Sequence, residues 1–431
     1  MRTNIVYEGA DELTYEIREI VEVGHNIRAT GVDIVWENIG DPVAKGEKIP
    51  SWIKDIVAEM VKDDASYAYS PTRGLLETRE YIAKERNLEG GIRITPDDIL
   101  FFNGLGDAIG KVYTYLNSRA RVIGPNPAYS THSSAEAAHA SSHHITYRLD
   151  PKNKWYPDLA DMRRKIEANP DIAGILIVNP DNPTGMVYPE KILKEIVVLA
   201  REFNLFIISD EIYSNLFYGV EHKKLASVIG DVPGIAMRGI SKEFPWPGSR
   251  CGWVEFYNRD KDADFARYAK TLLDAKMLEV CSATLPQKVL PRVMGDPRYY
   301  PYLAARNAAY RKKADIACTI FSQVPGLIVN KPNGAFYLTV VFKEGVLDGT
   351  ESLKAANPEA AKIIEPLMKT DKLDKRFVYS LLASAGICVV PLSSGFNSDL
   401  FGFRMTLLEP DEAKFRSIVE RIAAAIREYV K

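Results

Sequence analysis

From about residue 98 the chain alternates short, nearly unbroken apolar runs with stretches of helical period. The runs fall at 98–103, 121–124, 173–179, 205–210, 234–239 and 252–256. Apolar runs without polar alternation are expected for strands covered on both faces of a mainly parallel sheet. Between them, 158–169 and 189–203 are patterned as helices, the second opening with a proline suited to a first turn. Strand and helix in alternation predict a doubly wound α/β fold. After residue 257 the rhythm changes. Helical stretches at about 260–280 and 297–323 precede strands at 335–342, 387–391 and 402–408, and 411–429 is an amphipathic helix. The charged, glycine-dotted segment 344–375 is expected to be a surface insertion with some helix. The pattern divides the chain into a large domain over 61–300 and a smaller one built from 1–60 and 301–431.

Composition narrows the function classes. The 431 residues are 46% hydrophobic and 26% charged, as in an ordinary globular protein. Lys+Arg (55) and Asp+Glu (57) nearly cancel, so no basic field exists to gather nucleic acid. Cys251, Cys281, Cys318 and Cys388 lie far apart without a C-x-x-C pair, which argues against a disulfide framework and a zinc site. The six histidines suggest no metal and receive no role, with His143 and His144 expected at a strand edge. The N-terminal segment shows no apolar core of a signal peptide, and the run 172–178 is too short to span a bilayer. A cytoplasmic protein is expected.

In an open α/β sheet the ligand sits beyond the carboxyl ends of the strands. There the sequence places Gly104-Leu105-Gly106, a turn opening a helix and suited to a phosphate, and Tyr129 in a proline-stiffened loop. It also places Asn182 within Asn179-Pro180-Asp181-Asn182-Pro183, then Asp210 and Tyr213, then Ser241-Lys242, with Arg250 eight residues beyond the lysine. This set matches the needs of pyridoxal phosphate: a lysine for the aldehyde, a carboxylate for the pyridine nitrogen, and an arginine fork for the phosphate.

On these motifs the sequence resembles the class I/II, fold-type I pyridoxal-phosphate-dependent aminotransferases, from Asn38-Ile39-Gly40-Asp41-Pro42 to Phe403-Arg404. The resemblance implies a large domain with a mainly parallel seven-stranded sheet and a smaller α+β domain from both chain ends. It implies pyridoxal 5′-phosphate as cofactor, Lys242 as the Schiff-base lysine, and Asp210 as partner of the pyridine nitrogen. Tyr213 and Asn182 would bind the ring oxygen, and Tyr129 would stack on the ring. Leu105, Gly106 and Arg250 would hold the phosphate, with Tyr69 reaching it from the other subunit of a homodimer. Arg404 would bind the substrate α-carboxylate near the Gly40 backbone. Many relatives carry Ser or Thr three residues before the lysine, where Gly239 stands; Ser241 is the remaining hydroxyl there.

The activity implied is amino transfer between an L-amino acid and a 2-oxo acid by a ping-pong cycle, with glutamate and 2-oxoglutarate as one pair. Glu279 stands where dicarboxylate-specific relatives place an arginine from the partner, which favours an alanine- or aromatic-type donor, although Lys276 or Arg73 could substitute. A C–S lyase of the cystathionine β-lyase type shares the constellation. A non-enzymatic regulator would need a DNA-binding segment for which the chain has no room ahead of residue 38. The spacing Gly104-x-Gly106-x-x-x-Gly110 also fits a dinucleotide-binding oxidoreductase, but the next strand lacks the acid that would bind a ribose.

Overall fold

The computed structural model describes residue 3, residues 5–13 and residues 16–431. Five positions of the expected 1–60 segment therefore lie outside the described residues. The strands in chain order are β1 (Val35–Trp36), β2 (Ile99–Phe102), β3 (Arg121–Asn126), β4 (Thr146–Asp150), β5 (Tyr156–Pro157), β6 (Ile172–Val178) and β7 (Phe206–Asp210). They continue with β8 (Gly234–Gly239), β9 (Gly252–Tyr257), β10 (Leu327–Val329), β11 (Tyr337–Phe342), β12 (Ile387–Cys388), β13 (Val390–Pro391) and β14 (Gly402–Thr406).

A large sheet has the order β2-β9-β8-β7-β6-β3-β4-β5. Strands β4, β3, β6, β7 and β8 run parallel, while β9 runs against both β8 and β2, and β5 against β4. Seven strands match the expected sheet; the eighth is the two-residue edge β5, too short to leave a pattern. Every residue of β8 and β9 is buried, which is why these runs are unbroken by polar residues. The helix Glu190–Glu202 covers the sheet with Leu193, Ile196, Val197 and Ala200, spaced three and four apart on one face. Pro189 occupies its N-cap rather than its first turn.

A smaller antiparallel sheet has the order β10-β11-β14-β13. Beside it β1 pairs in parallel with β12, Val35 opposite Ile387, so the two ends of the chain share one layer. The single strand expected at 387–391 is two: Val389 separates β12, which pairs with β1, from β13, which pairs with β14. The helix Thr284–Met294 was not expected; Pro291 inside it masks the period. His143 and His144 precede β4 rather than lying on a strand.

Candidate active site

The carboxyl ends of β3, β6, β7 and β8 open onto a cavity of about 730 Å³, within the size range of cofactor sites. One end, suited to an anion, is built by Gly104, Leu105 and Gly106. Gly104 has φ +85°, a left-handed conformation that side chains resist, and it caps the helix Leu105–Thr114. The free N–H groups and positive dipole end of that helix start at Leu105 and Gly106, both on the cavity wall. A Cβ at Gly104 would lie 2.6 Å from Nη2 of Arg250, so the missing side chain is what admits the guanidinium. Ser241 lines the same cavity. Gly239 is closely packed: a Cβ there would stand 3.0 Å from the Cys251 carbonyl oxygen and 3.2 Å from Ile212 Cδ1.

Asp210 ends β7 and is buried. Its Oδ1 accepts from the Ile212 N–H at 3.0 Å, and its Oδ2 lies 3.1 Å from Nε2 of His132. His132 Nδ1 is in turn 3.3 Å from the Tyr113 hydroxyl. With a carboxylate as acceptor, Nε2 carries the proton and Nδ1 accepts from Tyr113, a relay that orients the acid. This corrects the expectation that no histidine takes part: His132, on the helix Ser130–Ala140, packs behind Asp210 and touches its carboxylate, a contact only the fold reveals. The Tyr129 ring, at the N-cap of that helix, lines the cavity and meets the His132 ring edge-on.

Tyr213 reaches the cavity from the segment after β7, and its hydroxyl is 2.9 Å from that of Tyr337 on β11. Burial, reinforced by Tyr337, pushes the Tyr213 phenol well above its ordinary range and keeps it a neutral hydrogen-bonding group. Tyr337 also explains Gly40, where a Cβ would stand 2.3 Å from the Tyr337 hydroxyl.

Lys242 follows β8, and its Nζ donates to the Gly40 carbonyl at 2.7 Å. Burial lowers its pKa to about 8, with Asp41 opposing the shift and Arg404 adding to it. An amine so displaced is readily neutral, the form that can attack a carbonyl or take a proton. In the cofactor-free protein the burial has a pH signature. Below about pH 8 Lys242 is charged in folded and unfolded chains alike, and its displacement costs on the order of 3 kcal/mol. Between there and the ordinary 10.5 the folded chain has lost the proton while the unfolded chain keeps it, so Lys242's contribution to stability rises with pH. Lys242→Met is therefore expected to melt above the parent near pH 7, with the gap closing towards about pH 10. A gap independent of pH in thermal scans would contradict the buried ammonium.

Arg404 on β14 also lines the cavity and is 2% exposed. It donates to the Asn38 carbonyl at 2.5 Å and to Asn182 Oδ1 at 3.3 Å, and its guanidinium lies 4.5 Å over the Tyr337 ring. Nε of Arg404 and Nδ2 of Asn38 are buried donors without partners, left over for a bound carboxylate. The residues present thus fit a phosphorylated pyridine aldehyde and an α-amino acid.

The cavity gathers Gly40, Leu105, Gly106, Tyr129, Asn182, Asp210, Tyr213, Ser241, Lys242, Arg250 and Arg404. Tyr69 is not among them and is 84% exposed. Lys276 and Arg73 do not line it either. Lys276 is fully buried against Glu279, which also accepts from Asn103 Nδ2 at 2.7 Å, and Arg73 donates to the Asp97 carbonyl. Asn38, Tyr337 and Arg18 line the cavity without having been singled out; Asn38 heads the Asn38-Ile39-Gly40 motif and could have been.

Sheet topology and site together define a fold-type I enzyme acting on amino groups. The chain belongs to the family described as aminotransferase class I and II, whose model matches residues 34–422. It is similar to an uncharacterized aminotransferase of Methanocaldococcus jannaschii, 56% identical over 432 residues and 100% of both chains. It is 28% identical over 332 residues to a glutamate-pyruvate aminotransferase of Escherichia coli, covering 76% of this chain and 80% of that one. Among solved structures it resembles an alanine aminotransferase from Pyrococcus furiosus, with TM-score 0.84, 27% identity, and 99% and 100% of the two chains covered. The family implies pyridoxal phosphate. Among the described residues no helix is long and apolar enough to cross a membrane.

Proposed function

We propose that the enzyme moves the amino group between L-alanine and 2-oxoglutarate, using pyridoxal 5′-phosphate in a ping-pong cycle within a cytoplasmic homodimer. The observation that carries this reading is Arg404, buried on the wall of the cavity that Lys242 also lines and stacked on Tyr337, a ready grip for an α-carboxylate. The named relatives supply the alanine and glutamate preference. The burial of Lys276 against Glu279 leaves it unsuited to an aspartate side chain. Arg18, exposed on the cavity wall, offers a second cation for the side-chain carboxylate of the five-carbon partner. No relative named above favours a lyase or a dinucleotide enzyme.

When bound, the cofactor supplies an electron sink that weakens the Cα–H bond of the amino acid. The N–H groups of Leu105 and Gly106 and the fork of Arg250 would hold its phosphate, with Ser241 beside them. Asp210, oriented by His132, would hold the proton of the pyridine nitrogen, Asn182 and Tyr213 would donate to the ring oxygen, and Tyr129 would pack against the ring. Neutral Nζ of Lys242 would take the Cα proton of the amino acid and hold it for return. Tyr69 fits the role of a residue lent to the neighbouring subunit. It lies with Tyr67, Met277, Leu278 and Val280 on an exposed apolar strip, where Thr284 donates to the Ala68 carbonyl at 2.6 Å. The reading keeps the cofactor in a domain over 61–300 and the α-carboxylate in one from both chain ends.

A donor panel with 2-oxoglutarate tests it. Alanine is expected to exceed aspartate and tyrosine in kcat/KM by about tenfold or more, the scale one side-chain contact supplies. Arg18→Gln should weaken glutamate more than alanine. A preference for aspartate, or product formation without an oxo-acid acceptor, would overturn the assignment.

A further inference from the structure

Lys242 is gripped at both ends by one segment of chain. Its amine donates to the Gly40 carbonyl at 2.7 Å. Seven residues on, Glu47 is tied back by its N–H to the Pro42 carbonyl at 2.9 Å. Its carboxylate pairs with Arg306 of the helix Tyr299–Phe321, Oε1 to Nε at 2.5 Å and Oε2 to Nη2 at 3.2 Å, and it accepts from the Tyr310 hydroxyl at 3.0 Å. Arg306 then returns to the lysine: Nη1 donates to the main-chain carbonyl of Lys242 at 2.7 Å and to that of Glu243 at 2.6 Å. The circuit closes through Gly40, Glu47, Arg306 and Lys242.

A buried guanidinium is costly, and Arg306 is 6% exposed. Its planar fork holds two successive carbonyls and an acid at once, which a lysine cannot. The next residue adds a second tether. The Glu243 carboxylate accepts from Ser214 Oγ at 3.1 Å, Asn215 Nδ2 at 2.9 Å and the Tyr299 hydroxyl at 2.7 Å. Ser214 and Asn215 directly follow Tyr213, so the turn carrying Lys242 is set against the segment carrying the phenol. Arg306 itself lines no part of the active-site cavity.

We propose that Arg306, backed by Glu47, is a positioning residue for Lys242, fixing the lysine's main chain so that Nζ meets the substrate Cα at a constant reach. This rests on the role given to Lys242 above. Arg306→Lys in the cofactor-loaded enzyme is expected to lower kcat by about 10- to 100-fold, the scale of an ångström's misplacement, while KM for alanine moves less than about threefold. The kinetic isotope effect with Cα-deuterated alanine should rise, because proton transfer is the step that slows. A residue that only supports the fold would not raise it.

A second arm uses Lys242→Ala supplied with methylamine as external base. There Arg306→Lys should change the amine-rescued rate less than about twofold, since no lysine is left to position. A full Arg306 loss in that background, or an unchanged isotope effect in the parent background, overturns the proposal. Absence of any amine rescue would instead overturn the proton-carrying role of Lys242, and this inference with it. Should Arg306→Lys fail to fold, Glu47→Gln replaces it in both assays, and an unchanged isotope effect there is equally decisive.

Discussion

Replacing Lys242 with alanine is expected to reduce turnover by about four orders of magnitude or more, the combined scale of losing a nucleophile and a general base at once. Among the described residues it is the one lysine on the cavity wall, and its amine is poised there by burial and by the Gly40 carbonyl. The variant should still bind cofactor, because the phosphate site proposed at the Gly104 turn and Arg250 does not use the lysine. Two measurements check this. Steady-state assay reports the loss of rate, and borohydride treatment followed by peptide mass analysis reports whether cofactor mass is fixed to the Lys242 peptide in the parent alone. Turnover within tenfold of the parent, or cofactor fixed to another lysine, would remove Lys242 from its assigned role.

The second large effect belongs to Asp210. Asp210→Asn keeps the shape and removes the charge, and kcat is expected to fall by about 10²- to 10³-fold, comparable to the loss of one preorganised electrostatic partner in a water-poor site. The carboxylate accepts from two sides, from the Ile212 N–H and from His132, whereas the amide offers a single acceptor oxygen, so the variant loses the charge and one of the two contacts. KM for alanine should change little, since the proposed carboxylate grip of Arg404 and Asn38 makes no hydrogen bond to Asp210. Asp210→Glu should recover part of the rate. If Asp210→Asn retained turnover within about threefold, the negative charge would have no part in the chemistry.

Central strands and the turns at their ends are more legible in the sequence than the short edges, for a physical reason. Strands such as β6 and β8 sit inside the sheet, so burial on both faces leaves an apolar run with nothing to confuse it, and the groups at their ends stand out by contrast. Glycine at 104 and the Asn-Pro steps around 182 announce turns directly. Short edges carry no such mark: β5 has two residues, and β10 has three that are half polar in setting. The helix Thr284–Met294 hides behind Pro291. His132 and Tyr337 were missed for another reason. One lies on a helix of small polar residues with no clear face, the other inside a wholly buried strand, and each reads locally as packing. Their part in the site comes from partners 78 and 124 residues away, a relation no local pattern contains.

The pairing of β1 with β12 also sets a clock on biosynthesis. The Asn38 carbonyl and the Arg404 guanidinium that meet at 2.5 Å are 366 residues apart, and Glu37 waits 369 residues for the Thr406 hydroxyl. At about 5–20 residues per second, a ribosome takes roughly 20–70 s to deliver one after the other. Through that interval Val35 and Trp36 have no β12 to join, while β2 to β9 can already assemble. The segments proposed to cradle the phosphate are therefore made, and can pack together, well before the contact between Asn38 and Arg404 can form.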